Sequence, residues 1–303
     1  MKILILYGGY SSESKVSIKT GIAIAEAIKG SHDLDMLNME SNIYNSPQMF
    51  YGADLIFNAL HGGDGENGNV QSFMDSHHIP YTGSGSKACK IAMDKNITKL
   101  VAKSIGINTP DWIMLNKGFD KNFELHDNNS PKFSYPYVVK PASEGSTFGL
   151  SVVRKEAGLL QAVSLALQYS ENIMIEKYIS GRELTVGILG NKALPIVEIF
   201  PSHGVYDYDC KYGDGLSEYS VPAEIPDSIE RSMKADAIRL YKAIGCRHYA
   251  RVDFRLDEDG RHFMLEINAL PGMTNSSLLP KAALSAGLNF NNLIDTIINI
   301  ASI

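Results

Sequence analysis

Cysteine is scarce in this chain, and what there is does not pair. Cys89, Cys210 and Cys246 are odd in number and far apart, with no Cys-x-x-Cys spacing. That excludes a disulfide framework and the common zinc and dithiol motifs, and free thiols in a reducing compartment are expected. Long apolar runs are missing: nothing approaches the ~20 residues of a membrane-spanning helix. The run in "MKILILYGG" is too short for a signal peptide and breaks at Gly8-Gly9. Basic charge is not in excess either. A formal net charge of −6 argues against a dedicated nucleic-acid binder, so local lysines and arginines have to hold any anionic ligand. No G-x-x-x-x-G-K-[ST] loop, G-x-S-x-G elbow or His-Glu-x-x-His pair occurs, which removes the P-loop, α/β-hydrolase and zincin readings. "GSGSKA", Gly83 to Ala88, fits G-x-G-x-x-[GA]. It lies deep in the chain, however, and lacks an acid about 20 residues on to hold a ribose. A dinucleotide-dependent oxidoreductase would rest on that match alone.

What is present is an ordinary globular composition, 44% apolar and 20% charged over 303 residues, enough for two or three domains at roughly 100–200 residues each. Lys2 to Tyr7 reads as a strand. Ser12 to Ile28 reads as a helix with apolar positions Val16, Ile22, Ala23, Ala27 and Ile28. "ADLIFNAL" reads as a buried strand running into "HGGDGENG", and Val70 to His78 as a helix. Strand, helix, strand, helix implies a parallel sheet with ligand loops at the strands' carboxyl ends. Asp94 caps a helix from Lys95 to Ile105 that stops at Gly106. Strands "YPYVVKP", "GLSVVRK" and "NIMIEKYI" follow, with helical "AGLLQAVSLALQ" between the last two, and then "RELTVGILG" and "ALPIVEIF". The expected domains are 1–93, 94–180 and 181–303. Pro201 to Pro226 has little periodicity but several tyrosines, which suits an ordered functional lid.

Two stretches carry chemistry. In "PYVVKPASEGSTFGLSVV", Lys140 ends an apolar run and small, flexible residues follow. This is either a plain hairpin with a snorkelling lysine or a flap whose lysine and backbone N–H groups cover a phosphate. In "ARVDFRLDEDGRHFMLEIN", Asp259-Gly260 signals a two-residue turn. Pairing outward from it sets Asp253 opposite Glu266 and Arg251 opposite Asn268, with Val252, Phe254, Phe263, Leu265 and Ile267 on the buried side. Opposed carboxylates repel. A divalent cation reverses that sign, and two acids with the amide oxygen of Asn268 suit Mg²⁺; a solvated hairpin face is the equal alternative. His61 stands out among eight scattered histidines because it ends a buried strand beside a glycine-rich loop.

Taken in order, "GGYSSESKVS", "HGGDGENG", "PYTGSG", "MDK", "VVKPASEGS", "IEKYISGRELTV", "YDYDCKY", "ARVDF" and "LEINALPGMT" span the chain. Together they resemble the D-alanine–D-alanine ligase family of the ATP-grasp superfamily. The resemblance implies an α/β fold, α+β in its ATP-grasp part, with an N-terminal parallel-sheet domain and ATP held between the central and C-terminal domains. It implies that Lys95, Lys140 and Lys211 contact phosphates, that Glu176, Lys177 and Ile179 lie beside adenine, and that Glu183 takes the ribose hydroxyls. Asp253, Glu266 and Asn268 correspond to ligands for Mg²⁺, two ions by resemblance, with Mn²⁺ as a substitute.

For the substrates, Glu13 corresponds to the acid that receives the first D-alanine's ammonium, near His61, and forms a trio with Ser146 and Tyr212. Arg251 and the N–H of Gly272 correspond to the oxyanion stabilisers, and Ser277 and Leu278 to the cradle for the second carboxylate. Tyr212 accompanies dipeptide rather than D-lactate products. The expected reaction is ATP-dependent formation of D-alanyl-D-alanine through an acyl phosphate, for peptidoglycan, by a cytoplasmic enzyme without membrane or nucleic-acid partners and with a homodimer suggested. Lys15 and Ala269 stand where the family usually has an acid and a threonine. Another ATP-grasp carboxylate–amine ligase, or a non-catalytic nucleotide sensor, would keep only part of this residue set.

Overall fold

The computed structural model describes residues 1–39, 43–116, 131–202 and 217–302. The chain begins β1 (Lys2–Tyr7), α1 (Ser14–Ile28), β2 (Asp33–Asn38), β3 (Leu55–Asn58), α2 (Gly63–Glu66), α3 (Asn69–Ser76) and α4 (Ser86–Met93). β1 lies between β2 and β3, parallel to both. Strand alternation sends Ile3, Ile5, Leu55 and Phe57 to one face and Leu4, Leu6 and Ile56 to the other, and both faces are covered. A parallel sheet requires such covering. The carboxyl ends of β1 and β3 therefore deliver the segments around Glu13 and His61 to one edge.

Helix α1 buries Val16 and Ile28 as expected and half-buries Ala23 and Ala27, but its buried face also takes in polar positions that apolar periodicity does not mark. Ile22 is 52% exposed, while Ser17, Thr20, Gly21, Ile24 and Ala25 are buried. The cause is hydrogen bonding. Ser17 Oγ accepts from the Gly8 N–H and donates to the Ala59 carbonyl, both at 2.8 Å. Thr20 Oγ1 meets His61 Nε2 at 2.9 Å. A polar helix face can be buried when every group on it finds a partner.

The middle of the chain runs α5 (Lys95–Ser104), β4 (Trp112–Asn116), β5 (Tyr137–Pro141), β6 (Ser151–Val153), α6 (Leu159–Ala166) and β7 (Asn172–Lys177). Asp94 caps α5 as expected, its carboxylate accepting the Ile97 N–H at 3.0 Å. The four strands form an antiparallel sheet in the order β4-β7-β5-β6, and α6 covers one face.

The remainder is β8 (Arg182–Leu189), β9 (Lys192–Ala193), β10 (Val197–Pro201), β11 (Ser217–Ser220), α7 (Asp227–Ile244), β12 (Tyr249–Leu256), β13 (His262–Asn268), α8 (Leu278–Ser285) and α9 (Phe290–Ala301). These strands make an antiparallel sheet ordered β11-β10-β8-β12-β13, with β9 on β8. Part of the stretch after Pro201 is thus sheet: β11 pairs β10, Ser217 facing Pro201. Residues 203–216, with Tyr206, Lys211 and Tyr212, lie outside the described residues. α4, α5 and α7 share one core with this sheet, while α1, α8 and α9 share another with β1 and β3. Among the described residues no helix is long and apolar enough to cross a membrane.

"GSGSKA" forms a junction with the segment leading into β12. Arg247 Nε donates to the Gly83 carbonyl at 2.9 Å, its N–H donates to Ser84 Oγ, and its guanidinium stacks 4.7 Å above the Tyr81 ring. The Gly83 N–H donates to His248 Nδ1 at 3.0 Å, which requires that nitrogen to be unprotonated. Burial, reinforced by the Arg247 charge, pulls the His248 imidazole down to about 4. The unfolded chain then binds the extra proton between the ordinary ~6.5 and about 4. This contribution is whole above pH ~6.5 and shrinks as pH falls toward 4. Urea midpoints measured from pH 7 to 4 should fall across that window. His248→Asn keeps an acceptor and tolerates the site's φ of +66°, and it should flatten the slope; an unchanged slope would exclude His248 as its source.

Candidate active site

The hairpin between β12 and β13 places Asp253 opposite Glu266 and Arg251 opposite Asn268, as the sequence implies, but by another route. The turn is three residues wide, closed by the Asp257 N–H on the Arg261 carbonyl and by Gly260 N–H on the Asp257 carbonyl. Gly260 takes φ +77°, a conformation open to glycine. That turn alone would shift the pairing by one residue, and a β-bulge beyond Asp253 restores it. The bulge makes Leu265 the extra residue and turns it toward the same cavity as Glu266. Leu265 and Phe263 are half-buried, and Met264 fills the core position beside Val252, Phe254 and Ile267. The expectation that Leu265 and Phe263 belong to the buried side is therefore corrected.

Each of the two opposed acids has a cation. Arg251 sets its fork on Asp253, Nε to Oδ1 at 2.9 Å and Nη2 to Oδ2 at 3.0 Å. Thr185 Oγ1 donates to the same Oδ1 at 2.5 Å. Lys95 Nζ, at the first residue of α5, stands 3.1 Å from Glu266 Oε2 and donates to the Glu144 carbonyl at 2.7 Å. Asn268 Oδ1 accepts the Leu270 N–H at 2.9 Å. Among the described residues no three His, Cys, Asp or Glu side chains gather as a metal cluster; the expected set holds two acids and an amide.

Asp253, Glu266, Leu265 and Lys95 wall a cavity between the antiparallel sheets. Lys140, Lys177, Ile179 and Glu183 line it too. Glu183 accepts from Arg255 Nη1 at 3.1 Å. Glu176 is 2% exposed. Its Oε1 accepts from Lys140 Nζ at 3.0 Å, and Lys99 Nζ stands 2.5 Å from its Oε2. Burial disfavours its charge, yet the two ammoniums outweigh that and hold the carboxyl below its ordinary range.

A second cavity adjoins the first and shares Lys95, Glu144, Gly145 and Glu266 with it. Glu13, His61, Ser146, Arg251, Asn268, Gly272, Ser277 and Leu278 line this one. Glu13 is buried and its carboxylate accepts from the Ser146 hydroxyl. A Cβ on Gly62 or Gly145 would come 2.9 Å from Glu13 Oε2, so the two glycines let backbone approach that carboxylate. Lys15 is exposed on α1 and Ala269 is core. The loop after Lys140 is docked on Glu13 through Ser146 and Gly145. Ser146 and Thr147 have φ of +48° and +65°, strained for residues with a Cβ and most of all for a β-branched one. Ser277 precedes α8, its Oγ accepting the Thr274 N–H at 3.1 Å, and Leu278 is that helix's first residue.

Every candidate residue within the described chain lines one cavity or both; Lys211 and Tyr212 fall outside the described residues. Sequence reasoning overlooked Lys99, Thr185 and Arg255. Lys99 was findable, since Lys95, Thr98, Lys99 and Ala102 recur at helical spacing on the buried face of α5.

Residues 35–84 match the family model described as D-ala D-ala ligase N-terminus, and residues 101–299 the model described as D-ala D-ala ligase C-terminus. A D-alanine–D-alanine ligase of Aquifex aeolicus is 40% identical over 300 residues, covering 98% of this chain and all of the relative. The crystal structure of the Bacillus anthracis D-alanine–D-alanine ligase superposes with a TM-score of 0.87 at 36% identity, over 99% of this chain and 97% of that one. A structure of the same ligase complexed with ATP gives 0.86 at 34% identity, with the same shares of the two chains covered. Matched in sequence over nearly its whole length and in fold, the chain belongs to the D-alanine–D-alanine ligase family.

Proposed function

We propose that the chain joins two molecules of D-alanine at the expense of ATP, yielding D-alanyl-D-alanine, ADP and phosphate, as a source of peptidoglycan precursor. One observation carries this reading: the lysine-walled cavity and the cavity holding Glu13 and Ser277 meet at Lys95, Glu144, Gly145 and Glu266. A nucleotide's terminal phosphate in the first can thus reach an amino-acid carboxylate in the second.

Glu13, buried and oriented by Ser146, receives the first D-alanine's ammonium, with His61 fixed beside it by Thr20 and Glu66. Lys95 and Lys140 hold phosphates, Lys95 at a helix N-terminus that itself favours anions. Glu176, Lys177 and Ile179 flank adenine, and Glu183 takes the ribose hydroxyls. The first carboxylate attacks the γ-phosphorus, its bond to the β-phosphate oxygen breaks, and ADP leaves an acyl phosphate. The amine of the second D-alanine, neutral when it attacks, adds to that carbonyl and loses a proton, and phosphate departs. Arg251 and the Gly272 N–H stabilise the oxyanion formed in that addition. Ser277 and the N-terminus of α8 cradle the second carboxylate. Asp253, Glu266 and Asn268 form an all-oxygen set of the kind hard cations take, so they fit Mg²⁺ or Mn²⁺, which supplies charge neutralisation at the phosphates. Lys211 and Tyr212 belong to a segment assigned here as the lid that keeps water from the acyl phosphate.

Domains at 1–93, 94–180 and 181–303 accord with the three sheets, each confined to one of these ranges. A cytoplasmic homodimer completes the proposal.

The test is phosphate release with Mg-ATP and D-alanine beside L-alanine and no-amino-acid controls, the product weighed by mass spectrometry. Release that depends on D-alanine and gives the dipeptide is expected. Release without dipeptide identifies another acceptor amine, and tight ATP binding without release identifies a sensor.

A further inference from the structure

Lys99 is unusual among the charges near the nucleotide cavity because it has no exposed surface at all, 0%, and lines neither cavity. It lies one helical turn after Lys95 on α5. Its Nζ is 2.5 Å from Glu176 Oε2 and donates to Thr109 Oγ1 at 2.6 Å. That hydroxyl in turn donates to the Met264 carbonyl at 2.8 Å. The Trp112 ring closes over the ammonium with its centroid 5.0 Å away. Lys99 is held from several sides and reaches solvent or ligand from none, so whatever it does for a nucleotide passes through Glu176.

We propose that Lys99 is a positioning residue for phosphate binding: it neutralises and holds Glu176, so that Lys140 offers the nucleotide an uncancelled positive charge. The charge count makes the case. Lys140 and Glu176 alone form a buried pair that sums to zero, with Lys140 turned toward the carboxylate and little field left for an anion. Adding Lys99 on the far oxygen brings the group to +1 and takes up the carboxylate from behind. The inference rests on the reading of Lys140 as a phosphate contact.

The burial of the ammonium points the same way. Burial pulls the Lys99 ammonium down to about 8, against the attraction of Glu176 and with repulsion from Lys140 and Lys103. The groups facing it are Glu176 of β7, Lys140 of β5, Trp112 of β4, Thr109 before that strand and Lys103 on its own helix. Above pH ~8 the +1 is therefore lost, and ATP affinity should weaken there.

The experiment compares dissociation constants for ATP, ADP and adenosine in the wild type, Lys99→Met and Lys99→Met/Glu176→Gln. A unit charge at ~8 Å and an effective dielectric of ~20 changes affinity on the order of 30-fold. Lys99→Met should weaken ATP by about that factor, ADP less and adenosine hardly at all. The double variant, back at +1, should regain most of the ATP affinity, and neither variant should show weakening of ATP through pH 8. Equal losses for all three ligands would mean a structural role and overturn the inference, as would a double variant no better than the single one. If Lys99→Met does not fold, the double variant and the wild-type pH profile still decide: weak ATP binding in the double variant, or a flat profile, overturns it. Lys140→Met separates the two readings. ATP affinity unaffected by Lys140→Met removes the phosphate reading itself. Affinity lost in Lys140→Met but kept in Lys99→Met removes only the role of Lys99.

Discussion

Glu176→Ala should destabilise the fold by on the order of 3–5 kcal/mol, the usual consequence of leaving a buried charge without its partner. The side chain is almost fully enclosed, with an ammonium on each oxygen, Lys140 at 3.0 Å and Lys99 at 2.5 Å. Removing the carboxylate leaves two like charges facing an empty site, and Lys99 has no path to water. Chemical denaturation at neutral pH measures the loss, and two controls identify its origin. Glu176→Gln keeps an acceptor oxygen and the volume, so it should fall between alanine and wild type. Raising the pH should relieve part of the alanine variant's deficit. Lys99 already releases its proton at about 8 with the carboxylate present. Without it, release comes at lower pH, and an uncharged lysine tolerates burial. A deficit below about 1 kcal/mol would mean that water enters and solvates the lysines, as it does for exposed pairs.

Much of this architecture was legible in the sequence, for reasons that differ by element. β1 and β3 show because strands covered on both faces read as continuous apolar runs. α5 shows because Asp94 and Gly106 mark its ends. Helix α1 shows as a helix, and Val16 and Ile28 mark part of its buried face, but the polar part of that face does not show. Ser17 and Thr20 are buried through partners on β1 and the segment after β3, and periodicity within one helix carries no information about them. The hairpin at Asp253 and Glu266 is instructive in another way. The sequence suggests a two-residue turn, and the chain makes a three-residue turn with a compensating bulge. The facing acids are the same in both, while Leu265 moves from core to cavity. The 18-residue helix α7 carries a signal of its own in the sequence, Met233, Ala237, Leu240 and Ile244 recurring at helical spacing on one buried face. Most of the candidate residues that line the two cavities belong to short motifs, and Thr185 stands inside one of these, "IEKYISGRELTV", whereas Arg255, which lines the first cavity, and Lys99, which holds Glu176 from behind, belong to none. Their roles depend on which strands lie side by side, and that is a property of the fold.

Arg251→Ala should reduce kcat by about 10²–10³-fold, the range for an oxyanion donor, and leave the KM for ATP nearly unchanged. The argument starts from position. Arg251 is on β12 opposite Asn268 and lines the second cavity, with Gly272 and Ser277 among the other residues of that wall. Its fork is held by both oxygens of Asp253, which fixes the guanidinium before any charge develops. A donor oriented in advance acts on the tetrahedral oxyanion more than on the flat carbonyl that precedes it, so the loss falls on turnover rather than on binding. Lysine should not rescue the activity, because a single ammonium cannot keep the bidentate grip on Asp253 and also present an N–H to the oxyanion.

The same substitution removes the cation from one of two acids that face each other across adjacent strands. Its thermal midpoint should therefore rise more on adding Mg²⁺ than the wild type's does, since a cation bound by Asp253, Glu266 and Asn268 relieves the repulsion. Steady-state kinetics and melting curves with and without Mg²⁺ check the two halves separately. Unchanged turnover would remove Arg251 from the oxyanion site, and an Mg²⁺ response no larger than the wild type's would place the metal elsewhere.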